Sequence, residues 1–139
     1  PQTTRQRIIG IVTRPGAQYV FVDTPGFQTH HGSTMNRLMN RSVSRSISDV
    51  DAVVWVVEAP RLRAEDKAVF GLLQPGTPFV VALNKIDGVG NKNELLPLMQ
   101  EIHALAQPVA IIPLSAKTGS GTDDLLEALL PLLPVQEAM

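Results

Sequence analysis

The chain has 139 residues, enough for one domain with a hydrophobic core, and its 44% apolar content fits a globular chain rather than a disordered one. A formal net charge of −1 gives no overall drive toward nucleic acid or an acidic membrane. The sequence holds no cysteine, which excludes disulfides, thiolate chemistry and cysteine-based zinc sites, and its longest unbroken apolar run, residues 52–57, is too short to span a bilayer.

In chain order, residues 7–13 read as a strand and Arg14-Pro15-Gly16-Ala17 as a turn in which Gly16 takes positive φ. Residues 18–22 form a second strand, and the short link predicts an antiparallel pair, because a parallel pair needs a longer crossover. That strand ends at Asp23, and Thr24-Pro25-Gly26-Phe27 forms a loop at its carboxyl end. Residues 33–48 carry a helical pattern, with Met35, Met39, Val43 and Ile47 at every fourth position, Leu38 beside them and Ser33 placed to cap. Arg37, Arg41 and Arg45 make a second stripe at the same spacing, which reads as a solvated helix face or as an RNA-facing patch.

Residues 52–57 are continuous and rich in β-branched side chains, as expected of a strand covered on both faces in a parallel sheet. A helix over 65–73 presents Val69, Leu72 and Leu73, and Gln74-Pro75-Gly76 ends it. The next buried strand, 78–83, leads into Asn84, and a helix over 93–105 packs through Leu95, Leu98, Met99, Ile102 and Leu105. Pro97 must fall in the first turn of that helix or bend it. Residues 108–114 form the last strand, with Pro113 pointing to an edge or to a position past the ladder. Thr122 is placed to cap a final helix, Asp123 and Asp124 suit its positive first turn, Leu125, Leu126, Leu129 and Leu130 form its stripe, and Pro131 stops it. Strands alternating with helices predict a three-layer α/β domain.

Three short motifs follow strands, at the sheet edge where open α/β folds bind ligands. Asp23-Thr24-Pro25-Gly26 supplies a carboxylate for a magnesium-bound water and a Gly26 N–H for a γ-phosphate oxygen. In Asn84-Lys85-Ile86-Asp87, the Asp87 carboxylate can accept from both N1–H and N2–H₂ of guanine, a donor pair that adenine lacks. Asn84 can brace neighbouring loops or meet the base oxygen, and the Lys85 stem can lie over the purine with its ammonium in water. Ser115-Ala116-Lys117 follows one βα unit later: the Ala116 N–H can meet guanine O6, Ser115 can hold the loop, and Lys117 can cover the sugar or base side. Thr3 and Thr4 offer hydroxyls that can complete magnesium coordination. A Gly-x-x-x-x-Gly-Lys-Ser/Thr phosphate loop should precede this set, and the 139 residues contain none. Each motif alone is also compatible with an ordinary polar turn; their order and spacing make the signal.

Together these motifs resemble the translation-factor-related GTPases and, more closely, the Era family. The resemblance runs over nearly the whole chain. It is carried by Gln2-Thr3-Thr4-Arg5-Gln6-Arg7, Asp23-Thr24-Pro25-Gly26-Phe27, Asn36-Arg37-Leu38-Met39-Asn40-Arg41, Asn84-Lys85-Ile86-Asp87 and Leu95-Leu96-Pro97. It implies a P-loop GTPase-type α/β fold, mostly parallel with one antiparallel hairpin strand, in which residues 1–139 are a partial GTP-binding domain. The first strand, phosphate loop and first helix, and the family's C-terminal KH RNA-binding domain, are then expected to be absent.

The resemblance further implies GTP or GDP and Mg²⁺ as cofactors. Thr4 becomes the preferred magnesium ligand with Thr3 as alternative, Asp23 acts through water, and Gly26 serves the γ-phosphate. Asn84, Lys85, Asp87, Ser115, Ala116 and Lys117 bind guanine. Phe27 stands where Ras-like enzymes place a water-orienting glutamine, so it cannot polarise water, and no residue is assigned as catalytic; His30 and His31 are read as exposed loop residues. The implied role of the intact protein is GTP hydrolysis in small ribosomal subunit assembly and 16S rRNA processing. Cytoplasmic location and peripheral association with the inner membrane are implied with it, and the polar start shows no signal-peptide pattern. Without a phosphate loop the 139 residues are expected to lack autonomous hydrolysis; the other reading is a non-catalytic ribosome- or protein-interaction module. By the same resemblance a strand is missing between strands 18–22 and 52–57. Those edges should then be closed by rearrangement, by pairing with each other, or by a strand from another chain.

Overall fold

A computed structural model describes residues 7–23, 50–71, 76–88, 90 and 92–135. The two strands nearest the N-terminus are β1 (Arg7–Arg14) and β2 (Ala17–Asp23), paired antiparallel from Arg7 opposite Asp23 to Arg14 opposite Ala17. The turn is as short as predicted, with Gly16 at φ 81°, and a register shift between Ile8 and Gly10 bulges β1. The predicted helix over 33–48, with its methionine and arginine stripes, lies outside the described residues.

Three parallel strands carry the rest: β3 (Val53–Glu58), β4 (Phe79–Asn84) and β5 (Ala110–Pro113), in the order β3-β4-β5. Helix α1 (Ala64–Phe70) connects β3 to β4, α2 (Leu95–Ala106) connects β4 to β5, and α3 (Thr122–Leu129) follows β5. The sheet separates two apolar clusters. Trp55, Val57, Val81 and Leu83 meet Leu95, Leu98 and Ile102 of α2 on one face, with Val69 of α1 beside them. On the other face Val80 meets Leu129 of α3 and Tyr19 of the hairpin, with Phe21, Val54, Ile112, Leu125 and Leu126 around them. This is the expected helix–sheet–helix layering.

Several expectations need correction. Strand β3 is buried on one face only over its second half: Trp55 and Val57 are covered, whereas Val56 is 55% exposed. Leu105 and Leu130, expected in the core, are about half exposed on the surface. In α2 the buried stripe ends at Ile102, and in α3 it ends at Leu129, with Leu130 beginning the following 3₁₀ turn Leu130–Leu132. Leu72 and Leu73 lie outside the described residues. Pro97 does fall in the first turn of α2, where no backbone donor is missed. Pro113 ends the edge strand β5, and the Leu114 N–H donates to the Leu83 carbonyl at 2.8 Å, beyond the residue that has no N–H to give. Among the described residues β2 pairs with β1 and β3 with β4, so β2 and β3 do not close each other's edges.

Thr122 does not cap α3 through its side chain. Gly121 holds the N-cap position at φ 82°, and the Thr122 hydroxyl donates back to the Gly119 carbonyl at 2.8 Å. Gly121 is required there twice over. The left-handed backbone disfavours any Cβ, and a Cβ built at this position would stand 2.4 Å from the Pro113 carbonyl oxygen. Gly121→Ala should therefore lower stability by about 2–4 kcal/mol, read from urea denaturation; an unchanged midpoint would refute the close approach.

Candidate guanine-binding site

The carboxyl ends of β3, β4 and β5 bring the polar residues of three loops to one edge of the sheet. Register sets the arrangement: Glu58, the last residue of β3, lies opposite Asn84, the last of β4. Lys85 then leaves the strand at φ 70°, a left-handed conformation uncommon for a residue with a side chain, and Asp87 sits in the single 3₁₀ turn Ile86–Gly88. Gly88 N–H closes that turn on the Lys85 carbonyl at 3.1 Å. After β5, Leu114 is buried, Ser115 is fully buried, and Ala116 and Lys117 emerge into solvent.

Two side-chain hydrogen bonds join the loops after β4 and β5. The Ala116 N–H donates to Asn84 Oδ1 at 2.9 Å. The Ser115 hydroxyl donates to the Asp87 carboxylate, while its oxygen accepts the Thr118 N–H at 3.2 Å. A buried hydroxyl so engaged is fixed in direction, and it fixes Asp87 in turn. The Ser115 loop closes on itself, with Gly119 N–H on the Ser115 carbonyl at 2.8 Å and Ser115 N–H on the Ser120 carbonyl at 2.9 Å.

The Ser115 hydroxyl, the Asp87 backbone N–H and the charges of Lys117 and Lys85 hold the Asp87 carboxyl below the ordinary aspartate range. A lowered value means that the ionised form, the double acceptor, is fully present at neutral pH. Its contribution persists above the ordinary aspartate range and is lost only as pH falls through the lowered value. Beside it, Glu58 Oε1 lies 3.0 Å from Lys85 Nζ and Glu58 Oε2 lies 3.3 Å from Arg63 Nη1. Lys85 first and Arg63 second hold the Glu58 carboxyl low as well.

The structure thus gathers Asn84, Lys85, Asp87, Ser115, Ala116 and Lys117 at one edge. It also shows the Ala116 N–H engaged by Asn84, so of the two roles open to Asn84 the bracing one is seen here. Thr3, Thr4 and Gly26 lie outside the described residues, as do Phe27, His30 and His31; Asp23 ends β2, and its side chain is outside them too. Among the described residues no group of three or more His, Asp or Glu side chains could hold a metal ion. Glu58 and Arg63 were not singled out from sequence. The available signal was a lone carboxylate ending the apolar run 52–57 at the ligand edge of the sheet.

Residues 1–85 match the family described as 50S ribosome-binding GTPase. The chain belongs to that family, within its bacterial Era branch. It is 44% identical over 138 residues to GTPase Era of Bordetella pertussis, covering 99% of this chain and 47% of that protein. It is 44% identical over 135 residues to GTPase Era of Vibrio cholerae, covering 96% of this chain and 42% of that protein. The chain therefore spans about half the length of the curated relatives it matches. Among solved structures it is similar to Era in complex with MgGDPNP and nucleotides 1506–1542 of 16S ribosomal RNA, at 31% identity and a TM-score of 0.82, over 99% of this chain and 47% of that one. An Aquifex aeolicus Era variant bound to GDP·AlF₄⁻ gives 30% identity and a TM-score of 0.81, over 97% of this chain and 47% of that one. These matches place the α/β architecture described above with the P-loop GTPase folds.

Two outcomes follow from the hydrogen bonds. Ser115→Ala removes the hydroxyl on Asp87, so the Asp87 carboxyl should titrate at a higher pH, nearer the ordinary aspartate value, when followed by carbon-13 NMR; an unmoved titration would show that Ser115 does not set it. Asn84→Ala should speed amide exchange at Ala116 about tenfold or more relative to the Leu114 amide, which keeps its bond to β4. Equal protection in both proteins would remove Asn84 as the brace.

Proposed function

We propose that these residues are the guanine-recognising part of an Era-type GTPase domain. The observation that carries the reading is the Asp87 carboxylate, which accepts from the buried Ser115 hydroxyl between two loops joined by the Asn84–Ala116 hydrogen bond. Such a carboxylate offers two acceptor oxygens in fixed positions, the complement of the N1–H and N2–H₂ edge of guanine. Lys85 and Lys117 are the cations acting on it, and both supply apolar stems with exposed ammonium ends.

In the intact protein the bound species is GTP or GDP with Mg²⁺, and the reaction is hydrolysis of GTP. Solved Era proteins with MgGDPNP and with GDP·AlF₄⁻ support that assignment. Thr4, with Thr3 as alternative, and Asp23 through water would hold the magnesium, which neutralises phosphate charge when bound, and Gly26 would donate to the γ-phosphate. The phosphate grip itself comes from outside these residues, since no Gly-x-x-x-x-Gly-Lys-Ser/Thr run occurs in them. Taken alone, residues 1–139 are a partial GTP-binding domain that holds nucleotide weakly or not at all and does not turn it over.

The Era complex with 16S ribosomal RNA supports a role of the whole protein in small ribosomal subunit assembly, in the cytoplasm. We assign RNA contact in the whole protein to the C-terminal KH domain that the family resemblance implies, since no KH-type Gly-x-x-Gly loop occurs in residues 1–139. Among the described residues no helix is long and apolar enough to cross a membrane, and none of the observations supports the expected peripheral association.

Replacing Asp87 by Asn exchanges one acceptor for a donor. In the full-length protein, Asp87→Asn should weaken GDP binding by about 3 kcal/mol, on the order of a hundredfold, and improve binding of xanthosine diphosphate relative to it. Calorimetry with the two nucleotides decides the point, and an unchanged guanine preference would remove Asp87 from the role.

A further inference from the structure

Among the described residues, the Glu58 carboxylate is the one group at the site edge that pairs with two cations, and the guanine reading leaves it without a task. Each of its oxygens serves a different partner: Oε1 meets Lys85 Nζ at 3.0 Å and Oε2 meets Arg63 Nη1 at 3.3 Å. Arg63 is itself anchored, since its backbone N–H donates to Asp66 Oδ2 at 2.9 Å at the start of α1. All three side chains are well exposed to water, with 39% of the Glu58 side chain, 60% of Lys85 and 54% of Arg63 accessible. Ion pairs so exposed add little to stability, so holding the fold together is a weak reason for this arrangement.

What the contact does determine is the position of a flexible side chain. A lysine has four rotatable bonds, and an unrestrained one gives up that freedom when a ligand packs on its stem. Lys85 starts at the end of β4, and its ammonium is held at the end of β3. Asp87, Ser115, Ala116 and Lys117 lie on the other side, toward β5. The stem is therefore directed from the end of β4 toward the end of β3 before any base arrives. The two cations around Glu58 also outnumber its single charge, so the carboxylate does not present a bare negative group to an approaching polyphosphate.

We infer that Glu58 is a positioning residue of the guanine site, which tethers the Lys85 ammonium so that the Lys85 stem stands as a preformed wall for the purine. This rests on the guanine reading above and adds to it a residue that acts through another. Preorganisation lowers the ordering cost of binding, and affinity differences among variants of one site fall mostly on the dissociation rate, so its loss is read in nucleotide release.

The test is a double-mutant cycle in the full-length protein, following release of fluorescently labelled GDP in the presence of Mg²⁺. The variants are Glu58→Gln, which keeps shape and loses charge, Lys85→Met, which keeps an apolar stem and loses the ammonium, and the pair together. Each single change should speed release about fivefold, and the pair should release no faster than Lys85→Met alone. Glu58→Asp, which retains the charge on a shorter stem, should fall between wild type and Glu58→Gln. Independent, multiplying effects of the two changes would overturn the inference and leave the guanine reading standing, as would a Glu58→Gln rate equal to wild type. Failure of the wild-type protein to bind GDP would overturn the guanine reading and this inference with it.

Discussion

The double burial of β4 is the constraint on which the other features depend. Val80, Val81 and Leu83 are fully buried and Ala82 nearly so, which leaves no face of the strand in contact with water. Every backbone donor and acceptor on such a strand needs a partner from a neighbouring strand, and both faces need apolar cover. Strands β3 and β5 supply the first in parallel register, and α2 and α3 supply the second through Ile102 and Leu129. Parallel pairing leaves all three strands ending at the same edge, so Glu58, Asn84 and the Ser115 loop are neighbours because β4 is central.

At that edge, polar contacts replace apolar packing. Ser115 is the one fully buried polar residue among those described, and its hydroxyl joins a carboxylate to a backbone amide three residues along. A satisfied buried hydroxyl has one orientation, which makes it a better reference point for Asp87 than a solvated group would be. Asn84 performs the corresponding task from β4, reaching 32 residues along the chain to the Ala116 amide. The two bonds cross between the same loops in opposite senses, so neither loop can shift without breaking one of them.

The hairpin is attached by a different balance. Tyr19 is buried against Val80 and Leu129, and its hydroxyl donates to the Leu126 carbonyl at 3.0 Å in α3. Arg14 adds an exposed ion pair to Asp123 at 3.5 Å, which contributes little in water. Meanwhile Ile8, Ile9, Ile11 and Val20 remain more than half exposed. The aromatic face of β2 thus fixes the hairpin to the same helix that covers β4 and β5, whereas those four aliphatic residues face solvent.

The sequence by itself determined the order of elements, the layering and the polar motifs that follow the strands. Those signals are local: a continuous apolar run at 78–83, a period-four stripe through Leu95, Leu98 and Ile102, and Asn, Asp or Ser at strand ends. Asn84, Asp87 and Ser115 were legible as polar groups at the carboxyl ends of strands, the place in this topology where ligands bind. Only the tertiary structure decided where the stripes stop being covered, which exposed Val56, Leu105 and Leu130, since periodicity records a face but not the extent of what packs on it. Only it placed Gly121 against the Pro113 carbonyl, where a backbone approach rather than a hydroxyl cap begins α3. And only the register of β3 on β4 brought Glu58 beside Lys85, because that contact joins residues far apart in the chain whose distance depends on two strands ending together.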